Sequence, residues 1–375
     1  MTKKIILTLA FILELVSMNG QNFPWERPLK MAWSNDGTTF SSPTIYQDSS
    51  GVPSVIRWKG DTLICAFQWF RKPNPSPSWD RVAVKFSYDG GITWTSPSPI
   101  IISGLPNTYQ RPFDPTLVAI EGDSIRIYFS SSVGFPVGGL DATVNTYSAR
   151  SRDGIHYTFE PNTRVDESMA QVIDPAVIYF KNTFHYAAPI GSPQQGAYHY
   201  ISPNGINFSK VPDIPSDNNH NWTGNYMVNN ADELRFYGGG SQGIWFKSSP
   251  NGGMWNNYVN TNIHGGDPSV VKTENGKYLM IYVGEPYATN ALDVISTSDV
   301  VIYPNPVMSV IYVKTNQNQN GSAYALYSLD GKLILSGYLN NEISAIDVEQ
   351  LPAGIFIVKL NLKEGDITTF KMVKE

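Results

Sequence analysis

The stretch SYDGGITW at residues 87–94 decides the fold, because variants of it recur along the chain. Each copy has Ser, then Asp or Asn two residues later, then Gly, and ends on an aromatic residue. The five copies are SNDGTTF at 34–40, SYDGGITW at 87–94, SRDGIHY at 151–157, SPNGINF at 202–208 and SPNGGMW at 249–255. Asp or Asn bonds to nearby backbone amides and Gly permits a positive φ, so each copy predicts a hairpin turn. The recurrence predicts a repeat architecture.

A second repeat lies between these turns. Segments that read as strand, tight turn, strand begin near residues 51, 113, 173, 224 and 266. Each leads into one of the turns except the last, while the first turn has no strand pair before it. A strand at residues 29–33 that completes the last unit accounts for both departures. The two repeats therefore predict a five-bladed β-propeller over residues 21–297, sealed by pairing its two ends.

The turn motif resembles the Asp box of sialidase-type β-propellers, whose pattern is S-x-D-x-G-x-T-W. Residues 87–94 match every fixed position of that pattern. The resemblance implies that Asp36, Asp89 and Asp153 are structural residues on the outer edge of the propeller.

Composition excludes several classes of protein. The chain has 375 residues, of which 41% are hydrophobic and 16% charged, so it can bury a sizeable core and is not a disordered protein. Its formal charge of −5 provides no basic surplus for nucleic-acid binding. The single cysteine, Cys65, excludes an internal disulfide and a Cys-based zinc site.

The two ends of the chain are predicted to direct its export. Residues 1–20 have two lysines followed by a short apolar run, which is typical of a signal peptide. No later apolar run is long enough to span a membrane.

Residues 298–375 read as short alternating strands and predict a small β-sandwich. They resemble the type A C-terminal sorting domain of the type IX secretion system of Bacteroidetes. The matching residues are Tyr303-Pro304-Asn305-Pro306, Asp330-Gly331-Lys332, Leu351 with Gly354-Ile355-Phe356, and Phe370-Lys371-Met372-Val373-Lys374. The resemblance implies recognition by the secretion translocon and a secreted or cell-surface location.

Three acidic residues are candidates for catalysis. Asp114, Asp174 and Asp267 each precede a proline at the start of an innermost strand, where the other two units have Val52-Pro53 and Gly224-Asn225. Equivalent positions of the blades converge on the propeller axis, so we expect the three carboxylates to share one funnel. Crowded carboxylates shift one another's pKa values, as acid–base hydrolysis requires. The alternative is that each Asp only caps its own loop.

This pattern resembles the five-bladed propeller glycosidases, which include arabinanases, β-xylosidases and family 43 enzymes. The resemblance implies that Asp114 is the general base and that Asp174 tunes and orients. The fourth unit, however, has no Glu at the position of the general acid, and Glu167 and Glu285 lie at no matching position.

Substrate-binding candidates are drawn from the arginines and aromatics near the inner strands. Sugar rings stack on aromatic faces, and guanidinium groups bind acidic ligands. The predicted set is Arg57, Trp58, Tyr109, Arg111, His185 and Tyr226. Packing between blades is the alternative for each aromatic residue. A sialidase-like arginine triad of Arg57, Arg111 and Arg235 is a further alternative, although sialidases have six blades.

No cofactor and no metal site is predicted. The histidines lack metal-ligand spacing, while carboxylates and carbonyls in the funnel would suit calcium without any loop motif that requires it. The sequence thus predicts a secreted carbohydrate-active protein, with glycoside hydrolysis as the leading activity. The alternatives are a non-catalytic glycan-binding or adhesive propeller and an exo-sialidase.

Overall fold

The computed structural model describes residues 27–70, 80–134, 144–168, 170–285, 300–315, 321–329, 331–362 and 367–374. The chain divides into two compact units, Met1–Glu285 and Pro286–Glu375. The predicted signal peptide at 1–20 and the predicted boundary between residues 297 and 298 lie outside the described residues. The all-β prediction is confirmed, since the described residues form strands and one 3-10 turn at Pro193–Gln195.

The described part of the first unit contains five mainly antiparallel sheets. The first sheet is β3 (Ser50–Lys59), β4 (Thr62–Trp69), β5 (Arg81–Ser87) and β6 (Ser98–Pro99). The second is β8 (Phe113–Ile120), β9 (Ser124–Ser132), β10 (Val144–Ser151), β11 (His156–Val165) and β7 (Ile101–Ser103). The third is β12 (Ala176–Phe180), β13 (Thr183–Pro189), β14 (Ala197–Ser202) and β15 (Ser209–Ile214). The fourth is β16 (His220–Asn230), β17 (Glu233–Gly240), β18 (Trp245–Ser249) and β19 (Val259–Asn260). The fifth is β20 (Gly266–Lys272), β21 (Tyr278–Val283), β1 (Leu29–Ser34) and β2 (Thr44–Gln47).

The fifth sheet joins the two ends of the first unit. Strand β1 pairs antiparallel with β21, from Leu29 opposite Val283 to Ser34 opposite Tyr278. This is the pairing of the strand at 29–33 that the repeats predict. Six paired residues hold the N-terminal strand to the last strand pair.

Apolar side chains fill the spaces between neighbouring sheets. Side chains alternate between the two faces of a strand. Two adjacent residues in the second strand of a sheet therefore enter clusters on opposite faces of that sheet. Five clusters form, each containing residues from two neighbouring sheets. With one residue from each sheet in parentheses, they lie between sheets one and two (Ile64, Ile127), two and three (Tyr128, Tyr186), three and four (Ala187, Phe236), four and five (Tyr237, Met280) and five and one (Ile281, Phe67). Each fully buried large side chain stabilises the fold by about 1.5–3 kcal/mol. Cys65 is a free, buried member of the last cluster.

The five turns of the first repeat, here called box turns, share one hydrogen-bond pattern. In the turn at 34–40, the Gly37 N–H donates to Ser34 Oγ at 2.9 Å, and the Thr38 and Thr39 N–H groups donate to Asp36 Oδ1. The same three bonds recur in the other four turns. Asn can replace Asp because a single side-chain oxygen, Oδ1, accepts both of these backbone bonds.

Each box turn packs its glycine against a neighbouring sheet. Gly205 has φ +69°, and a Cβ there would lie 2.6 Å from Tyr128 Oη and 2.8 Å from Arg126 Nη1. Tyr128 Oη in turn donates to the Gly205 carbonyl at 2.8 Å. Tyr237 and the Gly37 carbonyl make the equivalent bond at 2.9 Å. Glycine is therefore required both for the backbone conformation and for close approach.

The second unit has two sheets that share one apolar cluster. The smaller sheet is β22 (Val300–Tyr303), β23 (Val310–Thr315) and β26 (Ile343–Asp347). The larger is β25 (Leu333–Tyr338), β24 (Ala323–Ser328), β27 (Gly354–Asn361) and β28 (Ile367–Lys374). Both sheets contribute to the shared core, with Ile311 from β23 and Val358 from β27 among its members.

Asn305 explains why two of the quoted motifs of the second unit occur together. Its side-chain amide donates to the Lys371 carbonyl at 2.7 Å and accepts from the Val373 N–H at 2.7 Å. The segment at 303–306 is thereby tied to the last strand. Asp330 of the second motif lies outside the described residues.

Candidate functional site

The first strands of the five sheets contact one another in a cycle, in the order β3, β8, β12, β16, β20 and back to β3. A residue with positive φ lies in or just before each of these strands, at Val52, Asp114, Asp174, Gly224 and Asp267. Asp tolerates this conformation better than most residues, although it remains strained. The pairing register is irregular around residues 52, 114 and 267, which is the signature of a β-bulge. The repeated backbone geometry turns residues of equivalent position toward the same region.

Asp114 and Asp174 are in direct contact. The Asp174 N–H donates to Asp114 Oδ2 at 3.3 Å. Burial raises the pKa of Asp114 to about 7, and the charge of Asp267 adds to the rise, whereas the bond from the Asp174 amide opposes it. Burial and the charges of Asp114 and Asp267 raise the pKa of Asp174 well above its ordinary value. Burial also raises the pKa of Asp267, against the Thr223 hydroxyl and the charge of Arg27. The three groups therefore titrate as a coupled set.

A cavity of about 620 Å³ opens onto two of these carboxyls. Its described lining combines acidic, basic, amide and aromatic side chains. These are Asp80, Asp114 and Asp267, Arg27 and Arg111, Gln68 and Gln110, and Phe70 and Phe113, with Ser50, Gly51, Val52 and Val283 completing the wall. A volume of this size is within the range of small-molecule sites.

Asp80 forms one wall of the cavity with two partners. The Arg111 guanidinium donates to Asp80 Oδ2 at 3.1 Å, and the Gln68 amide nitrogen donates to Asp80 Oδ1. Both carboxylate oxygens of Asp80 thus hold a donor in place. Arg111 is the predicted substrate-binding residue that the structure does bring to the cavity.

Asp174 lies below this cavity rather than in its lining. It borders a small void of about 10 Å³, whose lining is Val52, Pro115, Asp174, Pro175, Gly224, Asn225 and Asp267. Asp267 borders both spaces. Asp114, Asp174 and Asp267 therefore lie close together, with Asp174 outside the lining of the larger cavity.

The other predicted substrate-binding residues lie outside the lining of the cavity. Trp58 packs against the cluster between sheets one and two, with the Lys59 ammonium 4.3 Å from its ring centre. Arg57 pairs with Glu274. Tyr109 packs its ring against Tyr147, with ring centres 5.2 Å apart.

His185 and Tyr226 are buried within the third and fourth sheets. His185 stacks on His199 with ring centres 6.1 Å apart. Tyr226 packs edge-on against Phe236 at 5.1 Å. Neither residue lines the cavity. Their roles in ligand binding stay predictions.

The arginine triad and the two glutamates considered from the sequence have separate partners. Arg235 pairs with Glu233 at 2.7 Å, whereas Arg57 pairs with Glu274 and Arg111 with Asp80. Glu167 accepts from Tyr200 Oη at 2.7 Å and pairs with Lys210. Glu285 is exposed. Among the described residues that line the cavity there is no glutamate.

Sequence reasoning missed Asp80, Arg27, Gln68 and Gln110. Asp80 directly precedes β5 and has φ +54°, so an acidic residue at a strand start was the available signal. Arg27 and Gln110 belong to no repeat, and Gln68 lies within β4 of the first unit, where nothing in the sequence marks it as functional.

Within the part of the chain that the structure describes, no three His, Cys, Asp or Glu side chains are grouped so that they could hold a metal ion. The same residues include no helix with the length and apolarity needed to cross a membrane.

Residues 301–375 match the family described as "Secretion system C-terminal sorting domain". The chain carries a sorting domain for type IX secretion. It is therefore exported to the cell surface or the medium, and this domain is its contact with the secretion system.

Several solved structures are similar to the chain at low identity. A protein of unknown function from Dyadobacter fermentans is 14% identical, with 86% of this chain and 94% of that chain covered and a TM-score of 0.43. An α-L-arabinofuranosidase of Clostridium thermocellum is 13% identical, with coverage of 80% and 95% and a TM-score of 0.48. A GH32 β-fructofuranosidase of Bombyx mori is 13% identical, with coverage of 96% and 91% and a TM-score of 0.46. No curated protein sequence matches the chain significantly.

Proposed function

We propose that the five sheets are the blades of a five-bladed β-propeller over residues 21–297. The cycle of contacts among the first strands and the five clusters between neighbouring sheets support this interpretation. The second unit is interpreted as a β-sandwich over residues 298–375, because its two sheets share one core. The cavity then lies in the funnel of the propeller.

We propose further that this exported protein is a glycoside hydrolase that acts in this cavity. The observation that carries the proposal is that Asp114 and Asp267 line the same cavity while the pKa of Asp114 is raised to about 7. Glycoside hydrolysis uses two carboxyl groups that flank the scissile bond, one of which must hold a proton near neutral pH. Phe70, Phe113 and Arg111 supply ring faces and hydrogen-bond donors in the same lining.

We assign different roles to the three carboxyls. Asp114 holds a proton on a large fraction of molecules at neutral pH and serves as the proton donor to the leaving oxygen. Asp267, next to the Arg27 charge, is the partner carboxylate. Asp174 acts through Asp114 and is a positioning residue. The resemblance to the propeller glycosidases gave Asp114 the role of base instead, so the pH profile decides between the two assignments.

The test is the release of reducing sugar from arabinan, xylan, levan and sialyllactose. Wild type is compared with Asp114→Asn and Asp267→Asn, and with Asp123→Asn as a matched control on an exposed carboxylate. We expect wild type and the control to release sugar from at least one substrate and both cavity variants to lose at least 100-fold in rate. Equal rates in all four proteins would sink the catalytic assignment.

A second candidate function is glycan binding without turnover. It is favoured by the absence of glutamate from the described lining and by the positive φ at Val52 and Gly224, which recurs without any carboxyl. Binding of a glycan with no sugar release from it, in wild type, would select this function.

A further inference from the structure

The fourth unit departs from the pattern of the other four at a residue that reaches the propeller axis. Gly224 stands where three units have Asp, and a Cβ at this position would lie 2.1 Å from the Tyr237 carbonyl oxygen. No side chain fits there, which excludes a fourth axial Asp. The following residue is Asn225 where the other units have Pro.

The Asn225 side chain joins three sheets. Its amide nitrogen donates to the Pro53 carbonyl at 3.0 Å, and its oxygen accepts from Thr116 Oγ1 at 3.0 Å. Pro53 is in β3 and Thr116 in β8, whereas β16 has β12 and β20 as its neighbours in the cycle. Asn225 therefore spans the axis. It is 7% exposed and both ends of its amide are used, so its orientation is fixed.

The two anchor points adjoin the cavity. Pro53 follows Val52 of the lining, and Thr116 comes two residues after Asp114. Asn225 also borders the small void together with Asp174 and Asp267. We propose that Asn225 is a positioning residue that forms the floor of the funnel and fixes the Asp114 carboxyl against the Asp174 amide. The catalytic importance of Asn225 rests on the proposed function, whereas its effect on the position and pKa of the Asp114 carboxyl does not.

The position of this floor controls how much water reaches Asp114, and desolvation is the main cause of its raised pKa. The charged groups that face Asp114 are Asp174, Asp267 and Asp80, and Arg111 lines the same cavity. Asn225→Ala removes both anchors and opens the floor. The pKa of Asp114 should then fall by at least about one unit, a tenfold change in proton affinity, toward that of an exposed carboxyl.

A matched control is available in Asn262. Its side chain also bridges a remote segment, since it accepts from the Phe40 N–H at 2.7 Å and donates to the Phe40 carbonyl at 2.8 Å. Asn262 lies outside the lining of both spaces. Asn262→Ala should lower the melting temperature without moving the titration of Asp114.

The experiment is a carbon-13 NMR titration of aspartate carboxyls in the full chain, with the Asp114 signal assigned from Asp114→Asn. Thr116→Val, which removes only one anchor, should shift the same titration in the same direction by a smaller amount. It replaces Asn225→Ala if that variant does not fold. The proposal is overturned if both floor variants leave the titration where Asn262→Ala leaves it. That result would leave the proposed hydrolase activity standing. Conversely, if wild type releases no sugar while the floor variants shift the Asp114 titration as expected, only the proposed function is overturned.

Discussion

The Asp174 backbone N–H donates to the Asp114 carboxylate at 3.3 Å, so the starts of β8 and β12 meet at a carboxyl whose pKa is raised to about 7. The bond itself favours the charged form of Asp114. Burial and the neighbouring charge of Asp267 outweigh it. A carboxyl held against its tendency to ionise weakens the fold at alkaline pH, and this has a measurable consequence.

Asp114→Asn should stabilise the protein at pH 8 and leave its stability at pH 4 unchanged. The folded pKa of Asp114 is raised from 3.8 to about 7, so the folded state keeps a proton that the unfolded state loses between these values. Its contribution to stability is therefore full below pH 4 and is lost as the pH rises to about 7. The neutral amide removes this dependence, with an expected gain on the order of 1–3 kcal/mol at pH 8. Thermal melts from pH 4 to 8 check it, and a variant that melts below wild type at pH 8 would contradict it.

His185 should give the opposite dependence on pH. Burial, and then the neighbouring His199, lower the pKa of His185 from 6.5 to about 4. The unfolded state gains a proton below pH 6.5 while the folded state does not, so stability falls between pH 6.5 and pH 4. His185→Gln should flatten this part of the stability curve. Melts of this variant beside His264→Gln, an exposed control, measure the difference. A curve for His185→Gln that falls as steeply as the control's would refute it.

Two glycines with nearly the same backbone separate close packing from backbone strain. Gly205 has φ +69° and Gly122 has φ +68°, but only Gly205 has other atoms within reach of a Cβ. Gly122→Ala should cost about 1–2 kcal/mol for the left-handed backbone alone. Gly205→Ala should cost at least about 2 kcal/mol more, because Tyr128 and Arg126 must move. Chemical denaturation gives both values, and equal costs would mean that the box turns do not hold the sheets together.

Repeats made the five sheets of the first unit and the proximity of three carboxyls predictable. The box turns gave the number of units, and the recurring Asp-Pro placed Asp114, Asp174 and Asp267 at equivalent strand starts. Asp80 and Arg27 belong to no repeat, so nothing in the sequence placed them at the cavity. The burial of His185 and Tyr226 could not be predicted, because the two faces of a strand buried on both sides look alike in sequence. Both of these residues pack within the sheets.

Arg111→Met should weaken ligand binding with little effect on stability. The Arg111–Asp80 pair is partly exposed, and such pairs contribute at most about 1 kcal/mol. The lost guanidinium would also release Asp80, so affinity for the best glycan of the panel should fall about tenfold. Calorimetric titration and thermal melts of this variant, beside Arg152→Met on an exposed box turn, separate the two effects. Unchanged affinity would remove Arg111 from the binding site.

Removal of residues 301–375 should abolish export and leave the first unit folded. Those residues carry the sorting domain, and the five sheets of the first unit have apolar clusters of their own. The truncated chain should accumulate in the periplasm with the thermal melt of the first unit unchanged. Asn305→Ala provides a subtler variant, because it removes the two 2.7 Å bonds that tie residues 303–306 to the last strand. If folding of the sorting domain is what the translocon recognises, this single change should lower the exported fraction, as measured by immunoblots of cell and medium fractions. Export of the truncated chain at the wild-type level would show that another segment carries the signal.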